Sequence, residues 1–207
     1  MVVSDISLMP EGLQQNIAPQ DMADLLAYLR SVYGQPQPAG LTLFDDEEPF
    51  IDALEQGSGK ATLLHDDSFS GVLSLSITPL QRHSPNISGW SYPIVENPEP
   101  GEFRYLRLAW KSPQGKGAMI ELAANGRWPS SASAERRYYS GENTTPWQAR
   151  QISPNPPREW SVITVDLWKD CGAFRLTGIA PTALGDEARF DHIELLRTLD
   201  DTRSINQ

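Results

Sequence analysis

A single cysteine, Cys171, stands among 207 residues. That scarcity excludes an internal disulfide, a CxxCH haem attachment and any cysteine-rich zinc site. Histidine is almost as rare, and His65, His83 and His192 are scattered without a metal-ligand spacing. Basic charge is in deficit: 17 Lys and Arg face 27 Asp and Glu, a net charge of −10. A phosphate-backbone binder needs a basic stripe to displace counterions, so the balance disfavours nucleic acid. No apolar run approaches the roughly 20 residues of a membrane-spanning helix, so no span is expected. Met1-Val2-Val3-Ser4-Asp5 has neither the basic nor the apolar region of a secretory signal, and none is expected in this chain. No serine sits in a nucleophile-elbow pattern, and Gly57-Ser58-Gly59 lacks the third glycine and the helix of a phosphate loop.

The charge and the prolines are unevenly placed. Residues 1–60 carry ten acidic and two basic side chains, whereas the remainder holds seventeen and fifteen. Five prolines fall between Pro79 and Pro100 and six between Pro113 and Pro157, with only Pro181 after them. Proline cannot donate to a ladder, so these stretches read as loops and strand edges. Met22, Leu25, Leu26 and Leu29 recur at helical spacing. Pro19 suits the first turn, Arg30 the last, and Gly34 the stop. A Pro-rich linker over 35–40 follows, then a short helical turn over Pro49–Leu54 closed by Gly57. Beyond it the period changes to two. Strands are expected over 72–77, 103–110, 118–122, 160–167, 174–179 and 190–196, with Cys171 a small buried residue near the end of one of them. Several strands without intervening amphipathic helices imply a mainly β, antiparallel sandwich over 41–199 and a tail over 200–207.

Two resemblances rest on particular residues. Ser7-Leu8-Met9-Pro10-Glu11-Gly12-Leu13, with the helical segment 20–29, resembles the C-terminal end of a bacterial c-type-cytochrome-like haem-binding domain, so residues 1–34 read as such an end. In that family a Met-Pro pair supplies an axial sulfur. Met9 would hold that place here, but without CxxCH no haem is expected on this chain. Residues 68–199 are similar to galactose-binding-like jelly rolls, the fold of many carbohydrate-binding modules. The likeness is carried by Ser70–Leu75, Ile94–Pro98, Gly101–Lys111, Leu176–Ala180 and above all Phe190–Asp201. It implies a jelly-roll β-sandwich, a haem-binding domain of the same parent protein as partner, and a bacterial, periplasmic or extracellular setting. It also implies a structural calcium ion tying the first strand region to the last strand. The matching positions are Asp45, Asp46 and Glu47 with Asp191 and Glu194, whose carboxylates suit a cation that takes six to eight oxygens.

The stretch 125–147 concentrates ligand-binding chemistry: Asn125, Arg127, Trp128, Arg136, Arg137, Tyr138, Tyr139, Asn143 and Trp147. Sugars stack their C–H faces on Trp or Tyr and hydrogen-bond to planar polar groups. Trp90 and Tyr92 lie in the other Pro-rich loop and are expected to line the same surface. Carboxylates are plentiful, but no pair stands out as the two that glycoside hydrolysis needs. The expected function is therefore a non-catalytic carbohydrate-binding module that targets an associated redox or degradative domain to polysaccharide. The alternative is a structural or protein-interaction domain that packs on the haem domain and binds no glycan.

Overall fold

The computed structural model describes residues 18–33, 40–46, 48–54, 61–79 and 83–199. The Met9-Pro10 motif, Gly34, residues 35–39 of the linker, Glu47, Gly57 and the tail 200–207 lie outside the described residues. The chain divides into two compact units, 1–37 and 38–207. In the first, α1 spans Pro19–Tyr33. Asp21 sits in its first turn, where the helix dipole favours an acid. Gln20 Nε2 donates to Asp24 Oδ1 one turn on, at 3.0 Å. Leu25 and Leu26, on the face that the spacing marks as apolar, stay 44% and 47% exposed.

The second unit is a two-sheet β-sandwich. Its elements in order are β1 (Gly40–Phe44), α2 (Pro49–Leu54), β2 (Ala61–Leu64), β3 (Ser74–Ile77), β4 (Tyr92–Ile94), β5 (Tyr105–Lys111), β6 (Gly117–Ala124), β7 (Arg137–Gly141), β8 (Arg150–Ser153), β9 (Ser161–Asp166), α3 (Leu167–Cys171), β10 (Phe174–Leu184) and β11 (Ala188–Leu196). One sheet runs β2-β3-β11-β5-β9 with β1 also on β11, and the other runs β4-β10-β6-β7-β8. Every pair is antiparallel except β7 with β8. The mainly β, antiparallel sandwich expected from the period-two pattern is the fold.

Alternation delivers the core. Leu106, Leu108 and Trp110 of β5, Ile163 and Val165 of β9, and Phe190, Ile193 and Leu195 of β11 face Ala118, Ile120 and Leu122 of β6 and Leu176 and Ile179 of β10. The run on β11 skips a residue between Phe190 and Ile193. There the register shifts between Asp191 and Glu194, and His192 adopts a left-handed φ of 47°. An extra residue of this kind is a bulge, and here it lies where β11 changes partners from β3 to β1. Pro181 sits within β10 yet breaks no ladder. β4 pairs only with the first residues of β10, so Pro181 has just β6 beside it, and its carbonyl faces His83 Nε2 at 3.2 Å.

The strand expected over 160–167 ends one residue early. Asp166 caps α3 by accepting from Lys169 N–H, and the chain turns into that helix at Leu167. Cys171 therefore closes a helix rather than a strand, and it is half-buried.

Candidate functional site

The outer face of the β4–β8 sheet is covered rather than open. On β6 the outward residues Met119, Glu121 and Ala123 are as buried as the inward ones. Two connections cover this sheet around Glu121. The segment between β6 and β7 brings Trp128, Pro129 and Ser131, and the segment between β7 and β8 brings Trp147. Gln148 N–H donates to Ser131 C=O at 2.9 Å and ties the two together. Asn143 folds back on its own loop. Its Nδ2 donates to Trp147 C=O at 2.7 Å, and its Oδ1 accepts from Thr145. Beneath lies a cavity of about 350 Å³, lined by Glu121, Arg137, Trp128, Trp147, His83 and Thr182 among others.

Arg137 holds this roof to the sheet. Its Nε and Nη2 donate to Glu121 Oε1 at 2.8 and 2.7 Å. Its remaining donors go to the carbonyls of Pro129 at 2.6 Å, Ser130 at 2.7 Å and Ser133 at 2.8 Å. A guanidinium has five N–H groups, so Arg137 keeps none for a ligand. Its plane also lies against the Trp147 ring, 5.4 Å from the centroid. Arg137 is thus a positioning residue, not the direct sugar contact that the sequence suggested. Glu121 has the opposite balance. Its second oxygen accepts from no donor among the described residues, while the side chain is 6% exposed and lines the cavity. Burial pushes this carboxyl above its ordinary range, against the pull of Arg137 and Arg136.

A second depression, about 600 Å³ and open to solvent, adjoins the first and shares Trp128 and Pro129 with it. Asn125, Arg127, Arg136, Cys171 and Phe174 line it. Of the ligand-binding residues expected from sequence, these two hollows gather Asn125, Arg127, Trp128, Arg136, Arg137 and Trp147. Asn143 shapes the Trp147 loop. Tyr139 shares the outward face of β7 with Arg137 and lines neither hollow.

Three expected residues are elsewhere. Tyr138 alternates inward from Arg137, is fully buried in the core, and has its hydroxyl 3.6 Å from Cys171 Sγ. Trp90 and Tyr92 do not join Trp128. They belong to an aromatic column, Phe44–Phe50–Trp90–Tyr92–Phe103, with successive centroids 5.1, 6.1, 5.4 and 6.1 Å apart. Packing against the core explains both. Glu121 was missed because it alternates with Ile120 and Leu122 as a solvent-facing residue would. The available signal was that its neighbours on that same face, Met119 and Ala123, are apolar, which marks a covered sheet.

The described carboxylates of the expected calcium set are engaged by hydrogen-bond donors or cationic side chains. Asp191 Oδ2 accepts from the backbones of Phe69 and Ser70 at 2.6 and 3.0 Å, and its Oδ1 from His192 N–H at 2.7 Å. Asp46 Oδ1 accepts from Val72 and Leu73 at 2.9 and 2.8 Å, and Asp45 accepts from the Ser70 hydroxyl. Glu194 faces Arg107 at 3.5 Å and His192 at 3.6 Å. Gly71, at φ 57°, passes so close to the Asp46 carboxylate that a Cβ would overlap it. Asp45, Asp46, Asp191 and Glu194 therefore close the seam between β1 and β3 along β11. Among the described residues no three His, Cys, Asp or Glu side chains group as a metal set.

No family model matches this sequence, and no curated protein sequence is similar to it. Among solved structures, the CBM22-1 xylan-binding domain from Paenibacillus barcinonensis Xyn10C matches with a TM-score of 0.31 and 15% identity, over 69% of this chain and 85% of that one. A likeness that distant carries no argument about the ligand, and the sandwich assignment rests on the strand pairing itself.

Proposed function

We propose that residues 38–207 are a non-catalytic carbohydrate-binding module whose sugar enters the cavity between Trp128, Trp147 and the floor of β6. One observation carries the reading: a buried carboxylate, Glu121, held by Arg137 with one oxygen left to accept from a hydroxyl. Two tryptophans beside it offer the apolar faces on which sugar C–H groups stack. A neutral, hydroxyl-rich ligand suits an acceptor of this kind, whereas an anion would meet like charge across a poorly hydrated gap. Glu121 is the single carboxylate among the described residues lining the cavity. Hydrolysis of a glycosidic bond uses two carboxyls roughly 5–9.5 Å apart, so the lining supports binding over turnover.

In this reading the module holds an associated redox or degradative domain of its parent protein near polysaccharide, outside the cytoplasm. The gain is effective concentration without added chemistry. Affinity electrophoresis through xylan, a β-glucan and a galactan tests it. The chain is retarded by at least one, and Trp128→Ala, with an unchanged melting temperature, is not. Equal mobility of wild type and variant in every gel overturns the proposal and favours a structural or protein-interaction domain.

A further inference from the structure

Arg136 and Arg137 are sequence neighbours that differ in what their donors meet. Arg137 is saturated. Among the described residues the Arg136 guanidinium has one hydrogen-bond and ion-pair partner, Glu135, at 3.4 Å through Nη1, and Glu135 is itself 58% exposed at the side chain. Among those residues Nε and Nη2 of Arg136 make no hydrogen bond. Its guanidinium lies over the Phe174 ring, 5.7 Å from the centroid, and both side chains line the second depression. Arg127 is exposed on the same rim and makes no side-chain hydrogen bond or ion pair among the described residues. Asn125 adds a side-chain amide to the lining.

No carboxylate lines this depression among the described residues. Asp170, near its Cys171 edge in sequence, is engaged by Arg150 at 3.2 Å. The backbone is held in an unfavourable state at two of these positions, with φ 51° at Asn125 and 56° at Arg136. Left-handed non-glycine residues are disfavoured and persist where their surroundings dictate the shape. Two guanidiniums with donors to spare, one over an aromatic ring and one exposed, suit a planar carboxylate or a sulfate. In a chain of net charge −10 this is a local inversion of sign.

We propose that the depression lined by Arg127, Arg136 and Asn125 is an anionic subsite, taking the carboxylate or sulfate substituent of a glycan whose neighbouring neutral residue occupies the Glu121 cavity. Trp128, common to both hollows, is the partition between them. The glycan part rests on the function proposed above, whereas the anion site stands on the two arginines alone. The ligand class is thus an acid-substituted polysaccharide, read by a neutral subsite and an acidic one side by side.

Two arms test this on the intact chain. In the first, sodium glucuronate, sodium sulfate and glucose are titrated separately while the indole N–H resonances of the tryptophans are followed by NMR. Glucuronate or sulfate shifts Trp128 by more than glucose does at equal concentration, and Arg127→Ala or Arg136→Met abolishes that excess without lowering the melting temperature. Which of the two anions acts distinguishes a carboxylate from a sulfate ester. In the second arm, mobility is compared through galactan and polygalacturonate, and through dextran and dextran sulfate. One charge-assisted contact predicts about tenfold tighter binding to an acidic member, and Arg127→Ala brings that ratio toward one. An anion shift no larger than that of glucose, or one that both variants retain, overturns the subsite. If the anions act but no polysaccharide retards the chain, the subsite stands and the carbohydrate-binding function falls. If neutral gels retard the chain while the anions do nothing, the reverse holds.

Discussion

The outer faces of the two sheets carry similar chemistry and use it differently. On the β2-β3-β11-β5-β9 sheet, cations meet carboxylates near solvent. Arg104 pairs with Asp166, Arg107 with Glu194, and Lys111 and Arg189 converge on Asp67, which also accepts from the Trp160 indole. These side chains are 12–23% exposed. On the other sheet one pair, Glu121 with Arg137, is almost wholly enclosed at 6% and 2% exposure. The first face pairs each of these cations with a carboxylate side chain. The second commits its arginine to backbone carbonyls and leaves an acceptor oxygen beside two tryptophans. Counting aromatic and charged residues does not separate these faces; following each donor to its acceptor does.

The largest expected contrast lies in the two arginines that anchor these faces. Arg137→Met strands a buried Glu121 and releases three loop carbonyls. It should destabilise the chain by about 3–5 kcal/mol in urea unfolding, as breaking one side of a buried pair does. Arg104→Met, at a part-exposed bridge, should cost much less, measured the same way. Equal losses would dissolve the distinction between a clamp and a surface pair. Asp67→Asn comes next. Removing the charge shared by Lys111 and Arg189 should cost about 1–2 kcal/mol, measured the same way, and leave polysaccharide retardation intact.

The smallest effect is a pH trend at the seam. Asp191 is pushed up to about 6 by burial and by Asp45, against the backbone N–H groups it accepts from. His192 is raised first by the nearby Glu194 carboxylate, 3.6 Å away, and then by Asp45, against burial. Both bind protons more tightly in the folded chain. The Asp191 contribution is full below pH 3.8 and lost as pH rises through about 6, and that of His192 is lost as pH rises through its raised value, above 6.5. Asp67, Asp166 and Glu187 are lowered, so their contributions are lost only as pH falls below the ordinary carboxylate range. The melting temperature should therefore decline from pH 6 to pH 8, less steeply in His192→Gln, and alike in calcium and in chelator. A rise over that interval, or a calcium-dependent shift, would refute the seam as described.

Fold and site were legible to different depths. β5, β9 and β11 alternate because one face is buried and the other is polar, so period two was visible. β7 was not, because Arg137 is buried on the outward face and the strand lies within a Ser- and Pro-rich stretch that resembles a loop. β8 is largely exposed and polar, and β1 and β2 are too short to set a period. α3 follows β9 without a gap, so its start depends on the Asp166 cap rather than on any hydrophobic repeat. At the site, Trp128, Trp147 and the arginines stood out by type. What no pattern could separate was which arginine would be consumed by carbonyls, since that depends on where the backbone of 129–133 passes.

That backbone route bears on how the module can change over evolutionary time. Arg137 grips the roof by the carbonyls of Pro129, Ser130 and Ser133, atoms that every residue type possesses. Side chains at 130, 131 and 133 can therefore be exchanged without unfastening the loop. A lineage, or a designer, could rewrite that part of the rim while the anchor, and the stability it confers, stays in place.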